Sequence, residues 1–345
     1  MTLRDAIARV VDRRDLEEAE MSAVVDEILG GRAGVAEIAG FLVSLRMKGE
    51  TVAELAGAAR ALRARAVVIP DVPPGAIDTC GTGGDGAGLL NVSTAAGLVA
   101  AAAGVPVAKH GNRAVSGTVG GADVLEALGV TLELPVAALG ACLRTVGFVF
   151  LYAPALQPAM RHAAPVRRAL GLRTIFNLLG PLTNPARVRR QVIGVYDRGW
   201  LRPVAEVLVR LGAERAWVVH GAGGIDEMSL EGETAVAEVV GGEIRERSVT
   251  PAEAGLASAP TRALRVASAA DAAGRLRAVL GGERGPARDI VCLNAAAALV
   301  VADAAADLRE GAARAAAAID GGAAVELLAR LVAFTDRHMA AGRTG

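Results

Sequence analysis

A change of hydrophobic pattern near residue 70 divides this chain of 345 residues into two parts. Residues 1–66 place their apolar side chains only at helical spacing. Three prolines between residues 70 and 74 then make a stiff connection, and from residue 76 short apolar runs alternate with helical stretches. The sequence therefore predicts a small all-helical domain over 1–70, hinged to a larger α/β domain over 71–345 with a mainly parallel central sheet flanked by helices.

Six apolar runs of the second part have the length and composition of buried strands. They are 76–79, 106–109, 130–134, 148–152, 191–196 and 216–219. Residues 228–249 have the pattern of a meander with a turn at Gly241–Gly242, and the alanine-rich region 288–341 predicts packed helices.

Charge and cysteine content narrow the class of protein. Lys plus Arg and Asp plus Glu are both 37, so the net charge is zero, whereas a protein that mainly grips a nucleic-acid backbone is usually basic. The three cysteines are far apart and form no CxxC pair, which indicates neither a disulfide framework nor a zinc cluster. The longest apolar run, 97–108, is shorter than the roughly 20 residues needed to span a bilayer. We expect a cytoplasmic protein with no membrane or nucleic-acid partner.

A glycine-rich loop follows the first predicted strand, with four glycines in GTGGDG at 81–86. Glycines let backbone N–H groups approach an anion closely, and this loop is typical of a phosphate site. The pattern also fits a dinucleotide fingerprint, but 99–108 lacks the acid that should follow about 20 residues on. A purely structural turn is the other alternative. Asp85 sits in the loop, so phosphate binding there requires a cation or a sugar hydroxyl nearby.

Asn91-Val92-Ser93-Thr94 precedes a predicted helix over 95–103. A serine or threonine at this place is ordinarily an N-cap. Beside an anion loop, the hydroxyls and free N–H groups also make a phosphate seat, and a serine hydroxyl can bind Mg²⁺.

A basic loop follows the second predicted strand, at 109–117. Lys109 and Arg113 supply cations there, and Asn112 supplies a neutral donor. Strand ends of an α/β sheet face the ligand crevice, so we expect this loop near the glycine loop. The alternative is a solvated basic loop.

Two neighbouring carboxylates, Asp226 and Glu227, follow the strand predicted at 216–219. Such pairs often only decorate a surface. In a site rich in phosphate donors they would instead hold Mg²⁺ together with substrate phosphates. Arg167, before an apolar turn-rich segment at 171–185, suits a planar carboxylate, although a surface arginine is the alternative.

These segments together resemble the anthranilate phosphoribosyltransferase family of tryptophan biosynthesis. The resemblance covers essentially the whole chain. The motif of the basic loop distinguishes this family from the pyrimidine-nucleoside phosphorylases. Its motifs are GTGGDG at 81–86, NVST at 91–94, KHGNRAVSG at 109–117, GLRTIFNLLGPLTNP at 171–185 and HGAGGIDE at 220–227.

The resemblance implies Mg-dependent transfer of the phosphoribosyl group from phosphoribosyl pyrophosphate to the amine of anthranilate, with two Mg²⁺ per subunit. It also implies homodimers formed through the helical domain, which part of 165–185 joins. The implied donor-binding residues are Gly81, Thr82, Gly83, Gly84, Asp85, Asn91, Val92, Ser93, Thr94, Lys109, His110, Gly111, Asn112, Arg113, Ala114, Val115, Ser116, Gly117 and Gly121. The implied anthranilate-binding residues are Gly81, Asn112 and Arg167. The implied metal ligands are Ser93, Asp226 and Glu227, and Lys109, Asp226 and Glu227 carry catalysis.

Three positions depart from the family pattern. Leu89 stands where a threonine is common, Gly121 where a serine often touches the donor, and Gln157 where a histidine often stands. They leave open a different aromatic amine as acceptor. Two other interpretations also remain: nucleoside phosphorolysis, and a non-catalytic nucleic-acid-binding paralogue, against which the neutral charge and the acidic pair argue.

Overall fold

The computed structural model describes residues 1–114 and 119–342, except the side chains of 340–342. The helices are α1 Leu3–Val11, α2 Glu18–Leu29, α3 Val35–Lys48, α4 Val52–Arg65, α5 Val92–Ala102, α6 Gly121–Ala127, α7 Val136–Val146, α8 Ala153–Leu156, α9 Ala164–Leu170, α10 Ile175–Leu182, α11 Leu201–Arg210, α12 Ala269–Leu280, α13 Pro286–Val301, α14 Leu308–Asp320 and α15 Ala323–Gly342. The strands are β1 Ile77–Gly81, β2 Val107–Gly111, β3 Phe148–Tyr152, β4 Arg190–Gly194, β5 Arg215–Gly221, β6 Thr234–Val240 and β7 Glu243–Val249.

Helices α1 to α4 form the N-terminal part, and hydrogen bonds at the start of α4 stabilise the turn between α3 and α4. Thr51 caps α4: its hydroxyl accepts a hydrogen bond from the N–H of Glu54 at 3.2 Å, and the Glu54 carboxylate accepts one from the N–H of Thr51 at 2.8 Å. Glu54 is fully buried and also binds the Lys48 ammonium at 3.0 Å. This capping box therefore joins the ends of α3 and α4 as well as starting α4.

The seven strands form one sheet in the order β3-β2-β1-β4-β5-β6-β7. Strands β1 to β5 are parallel to one another, and β6 and β7 form a hairpin whose turn is Gly241–Gly242 and which pairs antiparallel with β5. The predicted fold class is confirmed. The strand order reverses between β1 and β4, and ligands of such sheets bind outside the carboxyl ends at this switch point.

The strand predicted over 130–134 is wrong. Val130 and Leu132 are buried, so the alternation of apolar side chains is real, but the segment pairs with no strand of the described residues. The N–H of Thr131 donates instead to the hydroxyl of Thr335 in α15, at 3.1 Å. Strand β3 pairs with β2 beside it. Apolar alternation cannot tell an extended loop that packs on a helix from a strand.

The segment between β3 and β4 returns to the N-terminal helices. Helix α9 packs on α3, and α10 packs on α3 and α4. The same apolar cluster includes Phe41 of α3, Val166 of α9 and Ile193 of β4, so the N-terminal helices share a core with one face of the sheet. Within the described residues, no helix is both long and apolar enough to cross a membrane.

Candidate active site

Three glycines end neighbouring strands: Gly81 ends β1, Gly194 ends β4 and Gly221 ends β5. The loop that carries Asp226 and Glu227 lies directly across these ends. A β-carbon would overlap the Asp226 carboxylate at Gly81, the Asp226 carbonyl at Gly194 and the Glu227 carbonyl at Gly221. The three missing β-carbons therefore let the acidic pair lie at the switch point of the sheet.

The acidic pair binds the glycine loop and the start of α5. Asp226 Oδ2 accepts a hydrogen bond from the N–H of Gly83 at 2.6 Å, and Glu227 Oε1 accepts one from the N–H of Ser93 at 3.0 Å. Gly83 has φ of 66°, a conformation that glycine adopts readily. The predicted glycine loop, the NVST segment and the acidic pair are thus brought together.

The pKa of each carboxyl of the pair is raised. Burial is the first cause for both; the neighbouring carboxylate of Asp85 adds to it for Asp226, and that of Asp226 adds to it for Glu227. The charge of Lys109 offsets part of the effect at Glu227. Asp85 itself accepts a hydrogen bond from the N–H of Ala87 at 3.0 Å. A bound cation would therefore favour the ionised form of both Asp226 and Glu227.

The helix predicted over 95–103 begins earlier, at Val92, and its N-cap is Asn91 rather than a serine or threonine. The Asn91 side chain forms no cap bond; its amide donates to the carbonyl of Val119 at 3.0 Å. Val92 is fully buried, and its packing explains the early start. Ser93 consequently lies in the first turn, where N–H groups lack helical partners and can bind an anion.

Lys109 is 3% exposed and lies in the middle of β2, so the first three residues of the predicted basic loop, 109–111, belong to the strand. Its ammonium donates to the hydroxyl of Ser93 at 3.1 Å and to the carbonyl of Thr79 in β1. The Thr79 hydroxyl in turn donates to the carbonyl of Ser93 at 2.9 Å. A buried positive charge is therefore held beside the start of α5 and close to Glu227.

His110 is fixed by two neighbours. Its backbone N–H donates to Asp78 Oδ1 at 3.1 Å. Its ring Nδ1 lies 2.9 Å from the carbonyl oxygen of Gly180, and because a carbonyl only accepts, Nδ1 carries a proton. Asp78 also accepts from the Asn184 amide at 2.7 Å. Burial lowers the pKa of His110, which makes the ring neutral at pH 7 with an accepting lone pair on the buried Nε2. No described residue binds Nε2.

The rest of the basic loop is more exposed. The Asn112 side chain accepts from the N–H of Arg113 at 2.7 Å. The Arg113 guanidinium binds Glu126 and lies 3.1 Å from Asp123, so carboxylates of α6 offset its charge. Ala114 donates its N–H to Asp123 at 3.0 Å. Of the predicted donor-binding residues, Val115, Ser116 and Gly117 lie outside the described residues.

Gly121 and Gln157 show what two departures from the family pattern do. Gly121 begins α6, and a β-carbon there would lie 3.2 Å from the Thr94 hydroxyl, a tight contact. Gln157 is 4% exposed and its amide donates to the carbonyl of Thr183 at 3.1 Å.

Arg167 lies in α9, with its guanidinium carbon 5.4 Å from the centre of the Phe176 ring. No carboxylate among the described residues forms an ion pair with it. Burial lowers the pKa of this arginine, which still remains charged near pH 7. The segment that follows it reaches the glycine loop, because Arg173 donates to the carbonyl of Gly84 and stacks on a tyrosine ring.

Sequence reasoning missed four residues that build this site. Gly194 ends β4 under the acidic loop, Arg173 holds Gly84, Asn184 binds Asp78, and Asn294 of α13 binds the backbone of Met228. For Asn294 the sequence does contain a signal: it is the only strongly polar side chain between Ile290 and Val301.

The side chains at this site supply only part of the oxygen ligands that Mg²⁺ needs, and a substrate would supply others. Among residues 1–114 and 119–342, no group of three or more His, Cys, Asp or Glu side chains has the arrangement of a metal site. One buried and one half-buried carboxylate with a serine hydroxyl are an incomplete set of oxygen ligands. Mg²⁺ commonly binds to one or two carboxylates and takes its other ligands from phosphates and water. The residues present fit that mode.

Comparisons with known proteins agree with this geometry. Residues 73–325 match the glycosyl transferase family, a/b domain, and residues 4–66 match its helical bundle domain. The anthranilate phosphoribosyltransferase of Rhodospirillum rubrum is 54% identical over 332 residues, which cover 96% of this chain and 95% of that protein. That of Chloroflexus aggregans is 52% identical over 337 residues, which cover 97% and 99%.

Solved structures extend the likeness to three dimensions. The anthranilate phosphoribosyltransferase of Thermus thermophilus has a TM-score of 0.91 at 47% identity, covering 96% of this chain and 99% of that chain. The Saccharomyces cerevisiae enzyme, solved in complex with PRPP and Mg, has a TM-score of 0.89 at 25% identity, covering 97% and 98%. The chain belongs to the anthranilate phosphoribosyltransferases, enzymes of the glycosyl transferase family that act in tryptophan biosynthesis.

Proposed function

We propose that this chain transfers the phosphoribosyl group of phosphoribosyl pyrophosphate to the amine of anthranilate, releasing pyrophosphate in a Mg-dependent reaction. One observation carries the proposal: the acidic pair, the glycine loop, the first turn of α5 and Lys109 meet at the switch point of the sheet. The likeness to the yeast enzyme solved with PRPP and Mg supports the choice of donor and metal.

On the donor side, the N–H groups of Gly83 and Ser93 would bind phosphate oxygens. The remaining predicted donor-binding residues would surround the ribose and both phosphate groups. As the bond from the anomeric carbon to pyrophosphate breaks, negative charge grows on the leaving group, and the ammonium of Lys109 stabilises it. Lys109 needs no reorientation for this, because Ser93 and Thr79 already hold it in place.

Asp226, Glu227 and Ser93 would hold Mg²⁺. Bound there, the metal would neutralise the phosphates and the leaving group. A second metal per subunit is part of the proposal. The carboxylates are suited to the task because their mutual repulsion and burial make a bound cation favourable.

On the acceptor side, Arg167 would bind the anthranilate carboxylate, with Asn112 and Gly81 beside the ring. Its guanidinium has no carboxylate partner among the described residues and stacks near Phe176, so it is available for a planar anion. The anthranilate amine is neutral and carries its own lone pair, so the reaction requires no strong base. The buried Nε2 of His110 has no partner among the described residues and would accept the proton that the amine loses; a purely structural role of the ring, held by the carbonyl of Gly180, is the alternative.

The assembly is part of the same proposal. We propose that residues 1–70, joined by part of 165–185, form one domain and that residues 71–345 form the other. We propose that homodimers form through the helical domain. The packing of α9 and α10 on α3 supports the shared region. We also propose a cytoplasmic location, which the three buried, free cysteines support.

A steady-state assay tests the reaction. Loss of anthranilate fluorescence should require both phosphoribosyl pyrophosphate and Mg²⁺, and a chelator should abolish it. Turnover with another aromatic amine but not anthranilate would change the acceptor and keep the donor. Release of a base from a nucleoside with free phosphate, and no transfer, would instead establish phosphorolysis and overturn the proposal.

A further inference from the structure

Asn294 lies in the middle of α13 and is 3% exposed. Its Oδ1 accepts a hydrogen bond from the N–H of Met228 at 2.9 Å, and its Nδ2 donates to the carbonyl of Met228 at 3.0 Å and to that of Ile290 at 2.9 Å. The amide nitrogen therefore donates both of its hydrogens to buried carbonyls. One of these two bonds and the bond accepted by the oxygen go to the same residue of the acidic loop, Met228.

Met228 directly follows Glu227 and is fully buried. Its N–H belongs to the same peptide plane as the Glu227 carbonyl, and its own carbonyl belongs to the next plane. An amide that binds both groups therefore fixes the backbone on the C-terminal side of the pair. We propose that Asn294 is a positioning residue that holds Asp226 and Glu227 over the strand ends, an inference that rests on the proposed role of this pair.

The helix that carries Asn294 is a rigid support. Residues 290 to 301 of α13 are all buried, and the helix packs against α5, β1, β4 and β5, the elements that build the site. Asn294 also lines a small cavity with Glu227, Ser93 and Thr79. A side chain on such a helix sets a fixed distance to the pair, whereas residues 226–229 themselves lie in neither a helix nor a strand.

Other side chains cannot replace this amide. Alanine would leave the N–H and carbonyl of the buried Met228 without their side-chain partner. Aspartate would still accept from the N–H but could not donate to the carbonyl, and it would add a negative charge beside Glu227. The inference therefore applies to asparagine and not to any polar residue.

Amide hydrogen exchange of the ligand-free protein tests the positioning directly. The N–H groups of Gly83 and Ser93 are protected by the acidic pair. In Asn294→Ala they should exchange about tenfold faster or more, while the β6–β7 hairpin keeps its wild-type rates. Val301→Ala is the matched control, because Val301 is equally buried in α13 but about 10 Å further along it.

A second readout is the affinity for pyrophosphate with Mg²⁺, measured by calorimetry. It should fall about tenfold in Asn294→Ala and stay unchanged in Val301→Ala. Asn294→Asp replaces the alanine variant if that fails to fold, since a carboxylate has the shape of the amide and keeps the bond from the N–H of Met228 while losing the bond to its carbonyl. Unchanged exchange at Gly83 and Ser93, relative to Val301→Ala, overturns the inference. Faster exchange in a protein whose wild type does not bind pyrophosphate with Mg²⁺ would refute the proposed function while supporting the positioning role.

Discussion

Glu227 Oε1 accepts a hydrogen bond from the backbone N–H of Ser93 at 3.0 Å, which joins residues 134 positions apart. The bond connects the acidic loop after β5 to the first turn of α5. Ser93 thus contacts two groups of opposite charge, since its hydroxyl accepts from Lys109. Substrate phosphate and a cation would meet at this residue.

Replacement of the acidic pair tests its role. Asp226→Asn with Glu227→Gln should reduce turnover about a hundredfold or more, because the metal is worth several kcal/mol to a reaction that expels pyrophosphate. Raising the Mg²⁺ concentration should not restore it. The control is Glu243→Gln with Glu246→Gln on exposed β7. Normal turnover of the double variant, at unchanged Mg²⁺ dependence, would remove the pair from the mechanism.

The raised pKa values predict how the stability of the ligand-free protein depends on pH. Between the ordinary carboxyl pKa near 4 and the raised value, the folded state binds more protons than the unfolded state, so the free energy of unfolding falls as pH rises. Thermal unfolding measured with a chelator present should show that the free energy of unfolding decreases by at least about 1.4 kcal/mol over this range, the value of a shift of one pKa unit at one carboxyl. Addition of Mg²⁺ with pyrophosphate should stabilise the protein more at pH 8 than at pH 5.5.

The Asp226→Asn, Glu227→Gln protein is the reference for this measurement, because all other titrating groups remain in it. Its unfolding free energy should depend less steeply on pH over the same range. Identical slopes for the two proteins would show that the pair does not titrate abnormally.

Gly194→Ala tests the steric argument at the strand ends. The new β-carbon would overlap the carbonyl of Asp226, so the acidic loop must move. We expect a loss of about 1–3 kcal/mol of stability and a larger proportional loss of affinity for the Mg²⁺–pyrophosphate complex. Gly274→Ala, in an exposed turn of α12 with open space around it, should instead stabilise the protein by about 0.5–1 kcal/mol. Wild-type pyrophosphate affinity in Gly194→Ala would show that the loop tolerates displacement.

Arg167→Ala tests the acceptor site. The KM for anthranilate should rise about tenfold to a hundredfold, the value of a charged hydrogen bond, with little change in the KM for the donor. Arg168→Ala, the exposed neighbour on the same helix, is the control. Equal increases in both KM values would contradict a role restricted to anthranilate.

Local patterns predicted the fold well where packing and hydrogen bonding act together. The turn at Gly241–Gly242 follows from residue chemistry alone, and so does the capping box, because a threonine three residues before a glutamate, Thr51 and Glu54, is its sequence pattern. The segment 130–134 did not, because its partner is Thr335, more than two hundred residues away. No short-range pattern reveals which element takes the hydrogen bonds of an extended loop.

At the candidate site, sequence motifs indicated the side chains that are proposed to supply chemistry, and not those that support them. Lys109 and the acidic pair stand in recognisable motifs, one within β2 and the other after β5. Gly194 and Asn294 do not, because one acts through an absent β-carbon and the other through the backbone of a distant loop. Such roles depend on the spatial meeting of segments, which a single sequence does not show.

The bonds from Gly83 and Ser93 to the acidic pair have a consequence for selectivity in the cell. The N–H groups best placed to bind phosphate are already satisfied by carboxylates of the protein, which are tethered and therefore present at high effective concentration. Free inorganic phosphate or sulfate must displace these carboxylates from the N–H groups, and it offers the carboxylates no new partner. A ligand that arrives with its own cation does offer one. The ligand-free enzyme should therefore ignore the abundant small anions around it and respond to a metal-bound pyrophosphate group.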